Sequence, residues 1–540
     1  MTRFSLNKLF IFLLLLSLSA CNNNKGSKTS GFKLFKGDFV DIEQFQATNA
    51  SLNIPPNPSL DSSKKKVEIP SMEEFIYQAY QQNQNKPFWI NDEGPKVALK
   101  QFVAVLEDLK NEGIKVDLDT VKTIISKLEN EKKIPVADLV NMDRKLSQVY
   151  ADAAHSLLMG ESFNKIDNQW FVENDSNFYL APYLVHAFEL SDSFPSLDTF
   201  RSQLTEYKLI LEDIKKWQNL SKDSAYLAAK QNSIDDAALS IIIDKECNVE
   251  PLAANDSLDE KGKKIMQFQS FYNLKKTGKL DDATSKQLKK QPADYIALLQ
   301  VNLNRLRRAP RKMESEYVWV NIPLMELNYY KDGQQKFHSN VIVGKPVRPT
   351  PSISSPMTNV VFNPPWGVPP TILKNDVGSG LARRGSSYLA RKGLRAYDSR
   401  GRDVTSQVNA SNYRKYFISQ PPGAGNALGE VKFNMPNGEA IYIHDTPHRE
   451  AFKNSYRALS SGCVRTENPK EFAEIILGTD SFPMSRIKEI VSTRKTYSKV
   501  LDKKIPVFIL YLTVAPHPSG KGLVYLSDIY GRDKKMLNLQ

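Results

Sequence analysis

Cysteine is nearly missing from this chain: 540 residues contain three, at Cys21, Cys247 and Cys463. That usage excludes a disulfide framework, and no cysteines stand at zinc-site spacing. A Cys247–Cys463 bridge is open on arithmetic, but it would silence Cys463; the expectation is two free thiols, with Cys247 a plain core or surface residue. Long hydrophobic runs are missing too. Leu9 to Leu16 is apolar but short for a bilayer span, and nothing longer follows. A phosphate-binding glycine loop, a basic helix for nucleic acid and a paired-carboxylate constellation are all lacking. No nucleic-acid partner, metal or organic cofactor is implied.

What remains is ordinary globular material, 41% hydrophobic and 25% charged, long enough for two to four domains. The formal charge of +13 favours an anionic partner: nucleic acid, a membrane surface or an acidic polymer.

The first residues read as a targeting segment, 1–20. Arg3 and Lys8 precede the apolar stretch, and Leu18-Ser19-Ala20-Cys21 matches a bacterial lipobox. Cleavage before Cys21 and lipidation of its sulfur are expected, with an ordinary cleaved signal peptide as the other reading. The protein would then be tethered to a membrane of the cell envelope, and Asn22 after the cysteine leans towards the outer one. Residues 21–70, rich in Asn, Ser, Lys and Pro, read as a flexible spacer.

Residues 71–230 read as a helical scaffold. Leu99, Phe102, Val103, Leu106 and Leu109 fall at helical spacing before Gly113, and Leu139, Met142, Leu146 and Val149 mark a second helix. Trp89 is expected in the core. Residues 231–292 form a smaller helical unit, with Ile265, Phe268 and Tyr272 on one face and a turn at Gly278 and Asp281. A helix from Asp294 to Leu306 leads out of it. From about residue 315 the period changes to that of strands, with a hairpin turn at Lys331-Asp332-Gly333. A long polar insertion, 374–420, holds Arg383, Arg384, Arg391, Lys392 and Arg395; it is either a functional lid or a solvated charge run.

The most informative stretch is Ile441 to Arg465. Ala440 to His444 alternates as a strand, placing Tyr442 and His444 on one face and Ile441 and Ile443 on the other. Cys463 follows 19 positions after His444, just before a helix with Asn468 as N-cap, Pro469 at the first position, Glu471 completing a capping box and Gly478 as terminator. A thiol needs a base or charge partner to act at neutral pH, and a histidine supplies both. Backbone N–H groups of Ser461, Gly462 and Cys463 are in a position to face an oxyanion. The other reading is a buried structural cysteine and a surface histidine. His448 is the rival base, but it sits in a polar turn.

With HDTP at 444–447 and SSGCVR at 460–465 the chain resembles the L,D-transpeptidases, the YkuD-type cysteine enzymes of peptidoglycan, and most of all their large branch. The segment from Asn363 to Trp366, the run from Gln420 to Gly429 and the C-terminal DIYGRD are similar to that branch as well. The 71–230 and 231–292 units resemble its scaffold and peptidoglycan-binding domains. The resemblance implies a multidomain α+β protein, with a β-rich, sandwich-like catalytic domain over 315–495, a lid at 374–420 and a strand and tail at 496–540. It implies Cys463 as nucleophile and His444 as base. Tyr442, Arg465 and Trp366 would be substrate-binding or positioning residues, with Ser461 and Gly462 at the oxyanion site. Peptidoglycan stem peptides would be the partners, carbapenem-class β-lactams inhibitors, and the product a 3→3 cross-link made through a thioester. Water or a protein lysine as acceptor, and an inactive wall-binding lipoprotein, stay open as alternatives.

Overall fold

Apolar side chains at three- and four-residue intervals decide the helical half. Leu99, Phe102, Leu106 and Leu109 line the buried face of the helix Ala98–Asn111, and Gly113 turns the chain just beyond it at φ +78°. Leu139, Leu146 and Val149 do the same for Val136–Met159. Trp89 is fully buried and stacks on Phe102 with ring centroids 4.9 Å apart, as a core residue should. The computed structural model describes residues 39–53, 72–161 except 132, 183–247 except 187, 189–193, 195 and 232–233, and 258–538 except 519 and 521. The leader and Cys21 lie outside the described residues.

Three boundaries differ from the sequence reading. The expected spacer 21–70 contains a folded helix, Ile42–Leu52. Asp41 caps it by accepting from Gln44 N–H at 3.0 Å, and Phe45 and Asn49, one turn apart, are buried in the scaffold core. The unit 231–292 has no core of its own. Ile265, Phe268, Tyr272 and Leu288 share one cluster with Trp217, Tyr295 and the distant Leu523 and Tyr525. Its local chemistry is as expected: Gly278 turns at φ +66°, and Asp281 accepts from Thr284 N–H at 2.9 Å. The third difference concerns the last strand.

The principal sheet has nine strands: β1 (Glu316–Asn321), β2 (Glu326–Lys331), β3 (Gln334–Gly344), β4 (Ile353–Phe362), β5 (Val431–Asn434), β6 (Ile443–His444), β7 (Ala458–Ser460), β8 (Val464–Thr466) and β9 (Tyr497–Leu510). Their order is β7-β3-β8-β6-β5-β4-β9-β1-β2, and β2 also pairs with β3, so the sheet closes on itself around one core. Val318, Phe433, Ile443, Val464, Phe472 and Val507 meet there. A boundary at 495 therefore cuts through this sheet, because β9 lies between β4 and β1 at its centre. Setting this strand outside the catalytic domain missed that its Val507, Ile509 and Leu510 are fully buried.

The helix Pro469–Leu477 follows β8 and drives Phe472 against Phe337 and Phe433, with centroids 4.9 and 4.7 Å away. Gly478 ends it at φ +86°, but Asn468 makes no side-chain cap hydrogen bond, so the expected capping box does not form. Packing of Phe472 and Ala473 holds this helix instead.

Residues 374–420 are no solvated run. The strands Trp366–Gly367, Arg395–Tyr397 and Phe417–Gln420 form a small sheet. The short helices Gly378–Arg384 and Ser387–Arg391 pack onto it over a core that includes Val377, Leu381, Leu389, Ala396 and Ile418. Arg383, Arg384, Arg391, Lys392 and Arg395 all stay on the exposed side.

Candidate active site

His444 and Cys463 reach one place from neighbouring strands. β6 and β8 run parallel, with Ile443 opposite Val464 and His444 opposite Arg465. Cys463, one residue before β8, is thereby level with Tyr442, and Val464 N–H donates to the Tyr442 carbonyl at 3.1 Å. The alternation holds: Ile441 and Ile443 enter the core, while Tyr442 and His444 face a cavity, their rings edge-on at 5.5 Å. The strand is shorter than expected. Ala440 stands at φ +53°, outside the extended region, and Asn437 brackets Ile441 through bonds of 3.0 Å to its N–H and 2.7 Å to its carbonyl.

Cys463 Sγ donates to the Ala440 carbonyl at 3.9 Å, while the Tyr442 backbone and phenol, which Trp366 adjoins, favour its thiolate. His444 is 4% exposed. The backbone of Asp445 and Leu428 favours its protonated form, while Nδ1 is buried with no hydrogen-bond partner among the described residues. That nitrogen is the one left to take a proton.

Charge around the pair is one-sided. Lys432 lies opposite His444 in the β5–β6 register, with Nζ 4.1 Å over the Tyr442 ring. Arg465 lines the cavity with its Nε buried and without a hydrogen-bond partner among the described residues. Burial, then Arg465 and Lys432, push the His444 imidazole down to about 3. Burial pushes the Cys463 thiol up, against the Tyr442 hydrogen bonds and the same two cations. The resting pair is therefore neutral thiol and neutral imidazole. Proton transfer has to accompany attack rather than precede it.

The turn before the nucleophile corrects one expectation. Gly462, at φ +121°, spends its N–H on Ser460 Oγ at 3.1 Å, and that hydroxyl donates to the Cys463 carbonyl at 2.6 Å. The N–H groups left for an oxyanion are those of Ser461 and Cys463. The serine spacing hid this, since the hydroxyl of Ser460 and not Ser461 folds back. Ser461 is exposed; its hydroxyl accepts from Arg348, which also grips Asp376 of the lid at 2.6 and 2.8 Å.

Behind His444, Asp445 is buried and accepts from Glu430 N–H (2.8 Å), Thr446 N–H (2.7 Å) and Arg449 Nη2 (2.6 Å). A Cβ on Gly429 would stand 2.4 Å from Asp445, so this position admits no side chain. His448 is exposed and lies 3.6 Å from Glu450.

All seven expected residues, Cys463, His444, Ser461, Gly462, Tyr442, Arg465 and Trp366, line one cavity of about 690 Å³. A second, of about 550 Å³, shares Trp366 and Arg465 with it and runs under the lid past Tyr388, Arg391 and Lys392. Cys247 is buried elsewhere as a free thiol, so it forms no bridge. The sequence reading missed Lys432 and Arg348. A lone lysine between the buried Val431 and Phe433 is a usable signal for the first; no local signal marks the second.

Residues 315–501 match the family model of the YkuD, L,D-transpeptidase catalytic domain, and residues 74–212 match that of a scaffold domain. A Haemophilus influenzae protein named "Putative L,D-transpeptidase" is 36% identical over 242 residues, which is 44% of this chain and 48% of that protein. The chain thus spans about half the length of this curated relative. Among solved structures, a variant of an Enterococcus faecium L,D-transpeptidase aligns at TM-score 0.20 and 14% identity, covering 38% of this chain and 52% of that one. A Stackebrandtia nassauensis L,D-transpeptidase aligns at 0.18 and 13%, covering 50% and 88%. At such scores the solved structures bear on nothing that follows. The family-model match carries the likeness: residues 315–501 are similar to the YkuD family of L,D-transpeptidase catalytic domains.

Proposed function

We propose that the protein is a cysteine acyltransferase of peptidoglycan, an L,D-transpeptidase that makes 3→3 cross-links. The observation that carries this is the Cys463 thiol in one cavity with His444, whose Nδ1 has no partner among the described residues, and with Arg465, which pairs with no described carboxylate. Cys463 Sγ attacks the carbonyl between the third stem residue and the terminal D-Ala while His444 takes the thiol proton. The oxyanion is received by backbone N–H groups, that of Cys463 foremost. His444 returns the proton to the leaving D-Ala nitrogen, and a thioester remains. The side-chain amine of a second stem attacks it, losing its proton to His444, and the thiol is restored. Arg465 and Lys432 suit carboxylate-bearing stem peptides, and a carbapenem carbonyl is attacked in the same way. Export and lipidation at Cys21 would put this chemistry in the periplasm, tethered to the outer membrane.

Muropeptide analysis tests the reading. Purified protein given tetrapeptide stems should release D-Ala and yield 3→3 dimers, and Cys463→Ala should lose this activity and its carbapenem adduct by at least about a thousandfold. Shortened stems without dimers would mean that water is the acceptor, and a stem joined to a protein lysine would mean attachment. An adduct persisting on the Ala variant would remove Cys463 from the mechanism. The same preparation from membranes should begin at a lipidated Cys21; an unmodified start elsewhere would refute the anchor.

A further inference from the structure

The loop that follows β3 is bolted to the nucleophile turn by one side chain. Thr350 is fully buried, and its Oγ1 donates to the Gly462 carbonyl at 2.7 Å while accepting from Gly344 N–H at 2.8 Å. The C-terminal segment braces Thr350 from behind. Tyr530 Oη accepts from Thr350 N–H at 3.2 Å and donates to the Gly344 carbonyl at 2.5 Å. Arg532 adds bonds of 3.1 Å to the Thr350 carbonyl and 3.0 Å to Ser352. Tyr530 is itself fixed: its ring stacks on Tyr511 at 5.4 Å, and its N–H donates to the Tyr511 hydroxyl at 2.9 Å.

The Gly462–Cys463 peptide is trans, as all described peptide bonds are. In a trans peptide the C=O and N–H point in opposite directions. Fixing the Gly462 oxygen therefore fixes the direction of the Cys463 N–H. That N–H has no acceptor among the described residues, and Gly462 and Cys463 both line the cavity. At φ +121°, Gly462 has the backbone freedom to swivel, so something has to stop it.

We propose that Thr350 is a positioning residue for acylation: by clamping the Gly462 carbonyl, with Tyr530 and Arg532 as its brace, it aims the Cys463 N–H at the oxyanion. This rests on the acyl-transfer reading above. An N–H of this kind contributes only if it is aimed before charge develops, and losing one such donor costs on the order of a hundredfold or more. Loss of aim rather than of the donor should cost less.

The experiment compares two reactions of Cys463 in the full protein. Acylation by a carbapenem passes through an oxyanion, whereas alkylation by iodoacetamide does not. Thr350→Val should slow acylation by about ten- to a hundredfold and change alkylation by less than about twofold. Thr350→Ser should restore most of the acylation rate, and Tyr530→Phe should show the same selective loss at about three- to tenfold. Equal losses in both reactions, or no loss in either, would overturn the positioning role. If Thr350→Val does not fold, the selectivity of Tyr530→Phe decides. A wild-type protein that is alkylated but never acylated would overturn the acyl-transfer reading and the proposal together, an outcome distinct from an acylated wild type matched by its variants.

Discussion

The scaffold and the catalytic cavity each bury a titratable side chain, and they treat it in opposite ways. In the scaffold, Asp143 accepts from the Tyr80 hydroxyl (2.5 Å) and from Phe88 N–H (3.0 Å) and Trp89 N–H (2.9 Å). It is a staple between the helix Val136–Met159 and the segment that delivers Trp89. In the cavity, His444 is as deeply buried, yet among the described residues its Nδ1 has no partner, and neither has Arg465 Nε. A buried polar group with its bonds made holds structure together. One kept waiting in a cavity is held for a reactant, because its burial cost has not been offset within the protein.

The largest effect should come from breaking the waiting group. His444→Gln should lower acylation by about a hundredfold or more, the range for a positioned general base, while His448→Ala should change it by less than about twofold. Stopped-flow acylation of the two variants reads this directly, and the reverse pattern would move the base to His448.

The comparison sharpens with pH. Folding holds Asp143 up near 6 from its ordinary 3.8, through burial. Folding holds His444 down near 3 from 6.5. Around pH 5 the folded state therefore keeps a proton on Asp143 that the unfolded chain has released, so this group's contribution to stability falls as pH rises from about 4 to 6. For His444 the unfolded chain holds the extra proton, so its contribution rises with pH from about 3 to 6.5. Each slope is about 1.2 kcal/mol per pH unit at pH 5. Denaturant melts that follow the two domains separately should show opposite slopes, flattened by Asp143→Asn in the scaffold and by His444→Gln in the catalytic domain. Slopes of one sign in both would contradict the contrast drawn here.

The smallest effect belongs to the lid. Neutralising Arg383, Arg384 and Arg391 together should raise KM for anionic stems about threefold at low salt and leave kcat nearly unchanged. The difference should vanish near 1 M salt, where the screening length is about 3 Å. A salt-independent change would mean that these arginines act through the lid's shape.

How much of this was legible in the sequence follows from how far each interaction reaches. Tyr442, His444 and Cys463 lie on or beside β6 and β8, two paired strands close in sequence, so period and motif suffice to nominate them. The helix Ile42–Leu52 was legible in principle, since Asp41 and the Phe45–Asn49 spacing announce it, but the polar composition around it masked the signal. Lys432, Arg348 and Thr350 were beyond local reading. Each acts through a partner that only the sheet brings near: Lys432 through its register with His444, Arg348 through Asp376 and Ser461, Thr350 through Gly462. The capping box at Asn468 fails for the converse reason, because tertiary packing of Phe472 replaced a local bond.

The central place of β9 has a consequence for when this protein becomes itself. Val507 pairs with Val318, 189 residues earlier, and Trp217 donates to Tyr525 at 2.5 Å across 308 positions. Contacts of such sequence separation form late, after the loop-closure cost of everything between them has been met. Until β9 slides between β4 and β1, the catalytic sheet stays open along those two strands. A chain stalled short of β9 would therefore carry its cysteine in a sheet that has not closed.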